Sequence, residues 1–347
     1  MNHPAPRAGH RPGPRRARRP VALAVLAGAT VLAGCAQLPA APAPAGTGRE
    51  PLALPPAQAS RVVAQATAVL QAGADPATAD PALAARVSGP ELDLRTAAHT
   101  IAAAGASPAP TGGADDLEAI TSILPRQAAF PRWFATVTAP GSDQAPSLVV
   151  LRSAGARSPF AVWATPTLLP GASLPTLAAP ADGVAVVAPE EDTNLPASPA
   201  AVAAHYADVL TEGADSEHAG EFAADAYRSG VEAATAAEAA SLRAAGGTFT
   251  QERSVLPDGV LAVRARDGGA LVVAAFSWSA TSAGPADGRP GQLDPALAAL
   301  AGTEEALRAT VTRREVVVFS VPPGAGAGGG QVQVVAAESG PVQVTTG

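Results

Sequence analysis

The residues best equipped for chemistry are few. Past residue 35 the chain has three histidines, His99, His205 and His218. His218 lies in "ADSEHAGEFAAD", a stretch with helical character that places Glu217, His218, Glu221 and Asp225 within one to two turns of each other. His218 and Glu221 are three residues apart. That spacing lets an imidazole and a carboxylate on one helix face reach a single divalent ion. Acid groups also collect on solvated helix faces without any ion, and that is the reading adopted, so no metal ligand is assigned. His205 borders the apolar stripe of its helix and His99 stands near Ile101. A ring packed at a core boundary accounts for both. The chain has no GxSxG or HExxH motif, and its glycine run "PPGAGAGGG", Pro322 to Gly330, reads as a flexible loop between the last strands. No catalytic residue and no cofactor-binding residue is assigned. "PEEDTN", Pro189 to Asn194, lacks the alternating acids and central glycine of a calcium loop and reads as a linker. All 23 basic residues are Arg, which excludes a Schiff-base lysine and a phosphate-loop lysine. One cysteine excludes an internal disulfide and a CxxC metal site.

That cysteine, Cys35, ends a patterned N-terminus. Arg7 to Arg19 is basic, and "VALAVLAGATVLAG", Val21 to Gly34, is apolar over 14 residues. A spanning helix needs about 20. The order basic, apolar, small is that of an export signal, read here as residues 1–34. Leu32-Ala33-Gly34-Cys35 resembles the bacterial lipobox. The resemblance implies cleavage between Gly34 and Cys35 and a diacylglyceryl group on the Cys35 thiol. The expected location is then the cell membrane, lipid-anchored on the extracytoplasmic face. Residues 35–58, rich in Pro and Ala, read as a tether. Six Arg precede residue 20 and no acid precedes Glu50, so removal of the signal leaves 17 Arg against 30 acids, a net −13. A body that acidic repels nucleic acid, and no nucleic-acid partner is expected.

The elements that position these groups follow from periodicity. Ser60 to Gln71 and Ser88 to Gly105 have helical spacing, with Ser88 and Glu91 set as a capping box and Pro90 in the first turn. Asp115 and Asp116 suit a helix start or a loop. Phe130–Ala139, Ser147–Gly155 and Phe160–Leu169 read as consecutive antiparallel strands, and Asp182–Pro189 as a fourth. Helices follow at Ser198–Leu210 and from about Glu217 to Ala245. Strands then fill the remainder, including "TFTQERSVL" and "VLAVRARD" as separate strands and a tight turn at Asp267-Gly268-Gly269. Helices-then-strands, twice, gives an α+β class. Two domains are expected, 59–189 and 197–347, each with helices followed by a curved antiparallel sheet. Trp133, Trp163 and Trp278 fall in strands, as core or as the wall of an apolar pocket.

The stretches Ala82–Ala104 and Phe130–Pro175, with FPRWF (Phe130–Phe134), Phe160 with Trp163 and the turn Leu169–Gly171, resemble actinobacterial lipoproteins of unknown function. The helices-then-sheet order also resembles the nuclear-transport-factor-like cone. That likeness implies helices over a bent sheet and a cavity between them. Three roles follow: a non-enzymatic module binding an envelope protein, a carrier of a small apolar ligand in the cone, and a hydrolase with a triad assembled across the fold. The first is adopted.

Overall fold

The computed structural model describes residues 49–72, 79–108, 118–139, 145–191, 194–324 and 330–347. The signal segment, most of the expected tether, and Asp115 and Asp116 lie outside these residues. Three helices come first: α1 (Pro56–Ala72), α2 (Ala79–Arg86) and α3 (Gly89–Ala103). The strands β1 (Ala119–Ile123), β2 (Pro125–Arg126), β3 (Arg132–Thr138), β4 (Leu148–Ser153), β5 (Ala161–Ala164), β6 (Thr167–Leu168) and β7 (Val184–Ala185) follow. Next are α4 (Pro199–Glu212), two 3-10 turns at Gly213–Asp215 and Ala219–Glu221, and α5 (Ala226–Ala244). The last stretch holds β8 (Thr248–Arg264), β9 (Ala270–Ala283), β10 (Gly291–Gln292), α6 (Pro295–Ala301), β11 (Glu305–Ala306), β12 (Arg308–Val321) and β13 (Gln333–Thr346). The class is α+β, as the sequence order implied.

Two antiparallel sheets dominate, β1-β3-β4-β5 and β6-β13-β12-β9-β8. Where they stack, β4 and the first half of β9 are apolar on both faces, which explains the unbroken runs "LVVL" and "ALVVAAF". In β4, Val149 and Leu151 face α1 and α2, while Leu148 and Val150 face the other way. In β9, Val272, Ala274 and Phe276 face α4, while Leu271, Val273 and Ala275 turn from it. The inward sets meet. Trp133, Leu148, Val150 and Trp163 of the first sheet share one core with Val263, Leu271, Val273, Val316, Val318 and Val335 of the second. The layers therefore run helices, sheet, sheet, helix.

This stacking changes the domain picture drawn from sequence. Residues 49–347 form one compact unit rather than bodies divided between 189 and 197. Phe160–Leu169, expected as one strand, is split: β5 stays in the first sheet and β6 pairs with β13 of the second. The fourth expected strand, at β7, is only two residues and pairs with β2 in parallel. The expected tether is shorter, because Ala53 and Leu54 are buried, Leu52 bridges to Arg126, and α1 begins at Pro56. "TFTQERSVL" and "VLAVRARD" belong to a single strand, β8, whose register breaks between Val255 and Val260. Pro257 has no N–H to give a ladder, so it sits in that bulge. Asp258 there has φ +52° and its carbonyl accepts from Arg152 Nη1 at 2.9 Å.

Gly89 shows how tightly the start of α3 is fitted to β5. Its φ is +60°, and a Cβ at this position would stand 2.5 Å from Trp163 Cδ1 and Nε1. Gly89→Ala combines left-handed strain with overpacking of the inter-sheet core. It is expected to cost about 2–4 kcal/mol, read as a lower urea midpoint with an unchanged slope.

Candidate functional site

Helix α4 starts where Ser198 Oγ accepts from the Ala201 amide at 3.2 Å, with Pro199 in the first turn. Val202, Tyr206, Val209 and Leu210 face the sheet, so His205 is left on the flank. The chain then reverses. Gly213, at φ +63°, ends the helix, and Ser216 Oγ receives the His218 amide while donating to Asp208 at 2.5 Å. Past Glu221 the chain dives inward. Phe222 packs on Tyr206 and Phe319, and the backbone around it pairs with Val332. This reversal stacks His218 on His205, with ring centroids 3.6 Å apart and planes 7° from parallel.

Both rings address one carboxylate. His205 Nδ1 donates to Glu221 Oε2 at 2.8 Å and His218 Nδ1 donates to Glu221 Oε1 at 2.7 Å. Glu217 Oε1 lies 3.9 Å from His218 Nε2. The hydrogen bond to Glu221 holds the His218 imidazole above its usual range, against some desolvation. Partial burial pushes the Glu221 carboxyl up, but the two imidazole bonds outweigh it and hold it below the usual carboxylate range. His205, His218 and Glu221 offer ligand atoms within 4.8 Å of one another.

The sequence pattern found two of these three residues. His218 and Glu221 do meet, but on a 3-10 turn rather than the long helix expected over 217–245. His205 comes from another helix, and no local spacing announces it. Asp225 is not part of the cluster. It caps α5 by accepting from the Arg228 amide at 2.7 Å and from the Tyr206 hydroxyl at 3.2 Å, and burial holds its carboxyl above the usual range. His99 stands apart on α3 with a buried Nδ1 that has no hydrogen-bond partner. Among the described residues no hydroxyl is hydrogen-bonded to either stacked ring.

Sequence reasoning missed two charged networks that the fold seals. Ser88 does not cap α3 with its side chain, and Glu91, expected as the capping-box partner, turns into the core. There it accepts from Arg95 Nε at 2.6 Å and from the Thr165 hydroxyl at 3.0 Å. Glu338 of β13 accepts from the Thr165 amide at 3.1 Å, and its Oε2 is 3.2 Å from the same hydroxyl. Burial, then the nearby Glu91 charge, push the Glu338 carboxyl well above the usual range. Proton counting agrees. One hydroxyl has one proton, so protonated Glu338 donates to Thr165 Oγ1, which donates to Glu91. In the second network Glu315 accepts from Arg253 Nε at 3.0 Å and Tyr227 Oη at 2.7 Å. Arg253 and Arg313 flank the Trp278 ring at 4.2 and 5.1 Å. Trp278 is therefore a charged stack, and Trp133 and Trp163 are inter-sheet core. Between α4 and its sheet, where a cone would hold a cavity, Tyr206, Phe222, Phe276 and Phe319 fill the space.

Of the FPRWF motif, Trp133 and Phe134 enter the cores on opposite faces of the first sheet. Phe130 stays exposed under the Arg132 guanidinium, 4.6 Å from its ring. It borders an open cleft of about 420 Å³ with Leu54, Val62, Arg86 and Phe160. No helix among the described residues is long and apolar enough to cross a membrane. Cys35 and Gly34 lie outside the described residues.

The chain belongs to the family described as "Domain of unknown function (DUF8094)", whose model matches residues 52–345. No curated protein and no solved structure matches it. The family's span begins at Leu52, which bridges to Arg126, and ends within β13.

The raised Glu338 carboxyl makes stability depend on pH. The folded state holds a proton that the unfolded chain releases near the ordinary carboxylate value. Stability is therefore full below that value and declines as pH rises toward the folded one. Glu338→Gln should flatten this decline in urea titrations run over the window above the ordinary carboxylate value, and be at least as stable as the parent at its alkaline end. Glu91→Gln breaks a buried ion pair and should cost about 3–5 kcal/mol at every pH in that window.

Proposed function

We propose that the chain is a lipid-anchored extracytoplasmic lipoprotein whose folded body is a non-enzymatic binding or interaction module. One observation carries the anchor: Leu32-Ala33-Gly34-Cys35 closes a 14-residue apolar stretch behind an Arg-rich segment, with the chain's single cysteine at the modified position. Two acyl chains on one cysteine supply about 0.8 kcal/mol per buried CH₂, which makes the anchor nearly permanent. The role of the body rests on the finding that, among the described residues, neither stacked imidazole has a hydroxyl hydrogen-bonded to its ring. It also rests on a fold whose sealed charge networks serve rigidity, while its clefts lie open at the surface.

Growth with an alkyne fatty acid should label the wild-type chain and place it in the membrane fraction. Cys35→Ala should lose the label, and cleavage at Gly34–Cys35 should stop. A Cys35→Ala chain that stays membrane-bound and is cut at the same bond would sink the anchor. Crosslinking of the wild-type chain in intact cells should recover a defined partner. Repeated recovery of the chain alone would leave the anchor standing and remove the interaction role.

A further inference from the structure

We propose that His205, His218 and Glu221 form a binding site for a first-row divalent ion of the zinc class. Two imidazoles and one carboxylate are a borderline-soft N₂O set. It suits Zn²⁺, Co²⁺ or Ni²⁺ and is poor for Ca²⁺ or Mg²⁺, which take oxygen ligands in larger number. Three protein ligands leave an open position for water or for a ligand from elsewhere.

The donors already converge. Both Nδ1 atoms address the two oxygens of one carboxylate, within 4.8 Å overall. An ion at that focus replaces the two Nδ1 protons. Each neutral ring keeps its proton by moving it to Nε2, so no proton is lost from a neutral pair. For His218 that places Nε2–H toward Glu217, 3.9 Å away, the kind of outer carboxylate that orients a ligating imidazole. The rings lie parallel, so each must tilt to aim its lone pair at one ion. The broad terminal torsion of histidine allows this at small cost.

Each ligand is held independently. His205 stands next to Tyr206, which is locked in the core. Glu221 is fixed because its carbonyl accepts from the Val332 amide at 2.9 Å and the following Phe222 is buried. The His218 amide is tied to Ser216, whose hydroxyl is tied to Asp208. The surroundings are acidic. Asp208 and Glu217 both act on His218, and the sequence has no basic residue from Ser158 to Tyr227. Such a field raises the local cation concentration.

The test uses the full chain in detergent, stripped with a chelator. Co²⁺ titration should give the visible absorption of low-coordinate cobalt, saturating at one ion per chain. Zn²⁺ should displace it, and Ca²⁺ or Mg²⁺ in tenfold excess should not. His218→Ala and Glu221→Gln should each weaken binding by at least about 10–100-fold. Both lie on an exposed turn, so circular dichroism should report an intact fold even if His205→Ala disturbs α4. Replacement of His3 and His10 together should leave the cobalt spectrum unchanged. Binding undiminished in folded His218→Ala and Glu221→Gln chains, or no cobalt spectrum in the wild type, overturns the proposal. This result is independent of the lipid anchor.

Discussion

The inter-sheet core is the constraint on which the rest of this structure depends. Aromatic residues make up 3% of the chain, so the interior is built mainly from Val, Leu and Ala. Small side chains fill a gap only when layers lie close, and a sheet apolar on both faces needs a cover on each. Stacking the two sheets covers one face of each at once. The outer faces are then covered by α1 and α2 on one side and α4 on the other. Neither sheet has its own closed core, and this is the physical reason residues 49–347 form one unit.

Buried charges register the layers within that frame. The Glu91–Thr165–Glu338 chain joins α3, the end of β5 and β13, residues far apart in sequence. The Arg253–Glu315–Tyr227 chain joins β8, β12 and α5. An apolar sheet slides easily on another apolar surface. A buried carboxylate does not, because losing its partner costs several kcal/mol. Each network therefore penalises a shifted packing more than it stabilises the correct one. The Trp278 stack between two guanidinium groups adds a second, aromatic, fix on the same rung of the sheet.

The histidine cluster follows a different logic. It sits outside the sealed layers, where α4 ends and the chain turns back before α5. Its geometry comes from core residues one position away, Tyr206 and Phe222, which leave His205 and Glu221 no freedom to drift apart. A surface group positioned by buried neighbours is pre-organised without being buried itself. That is what binding requires of a site open to solvent.

Local features were determined by the sequence alone: the helices α3 and α4, the Ser198 cap, the strands through Trp133, Val150 and Val272, and the apolar segment that ends at Cys35. Each depends on neighbours within a few residues, and periodicity and capping read such neighbours directly. The tertiary structure decided the rest. The break between "TFTQERSVL" and "VLAVRARD" looks like the end of one strand and the start of another but is a bulge, because β9 pairs with the strand on both sides of it. Glu91 looks like a capping-box residue but faces the core, because Arg95, Thr165 and Glu338 offer it partners there. His205 looks like a boundary histidine until the chain returns and lays His218 over it. The number of domains and the third member of the site are long-range facts. Composition and spacing record what each segment prefers, and only the closed fold shows which distant segment meets that preference.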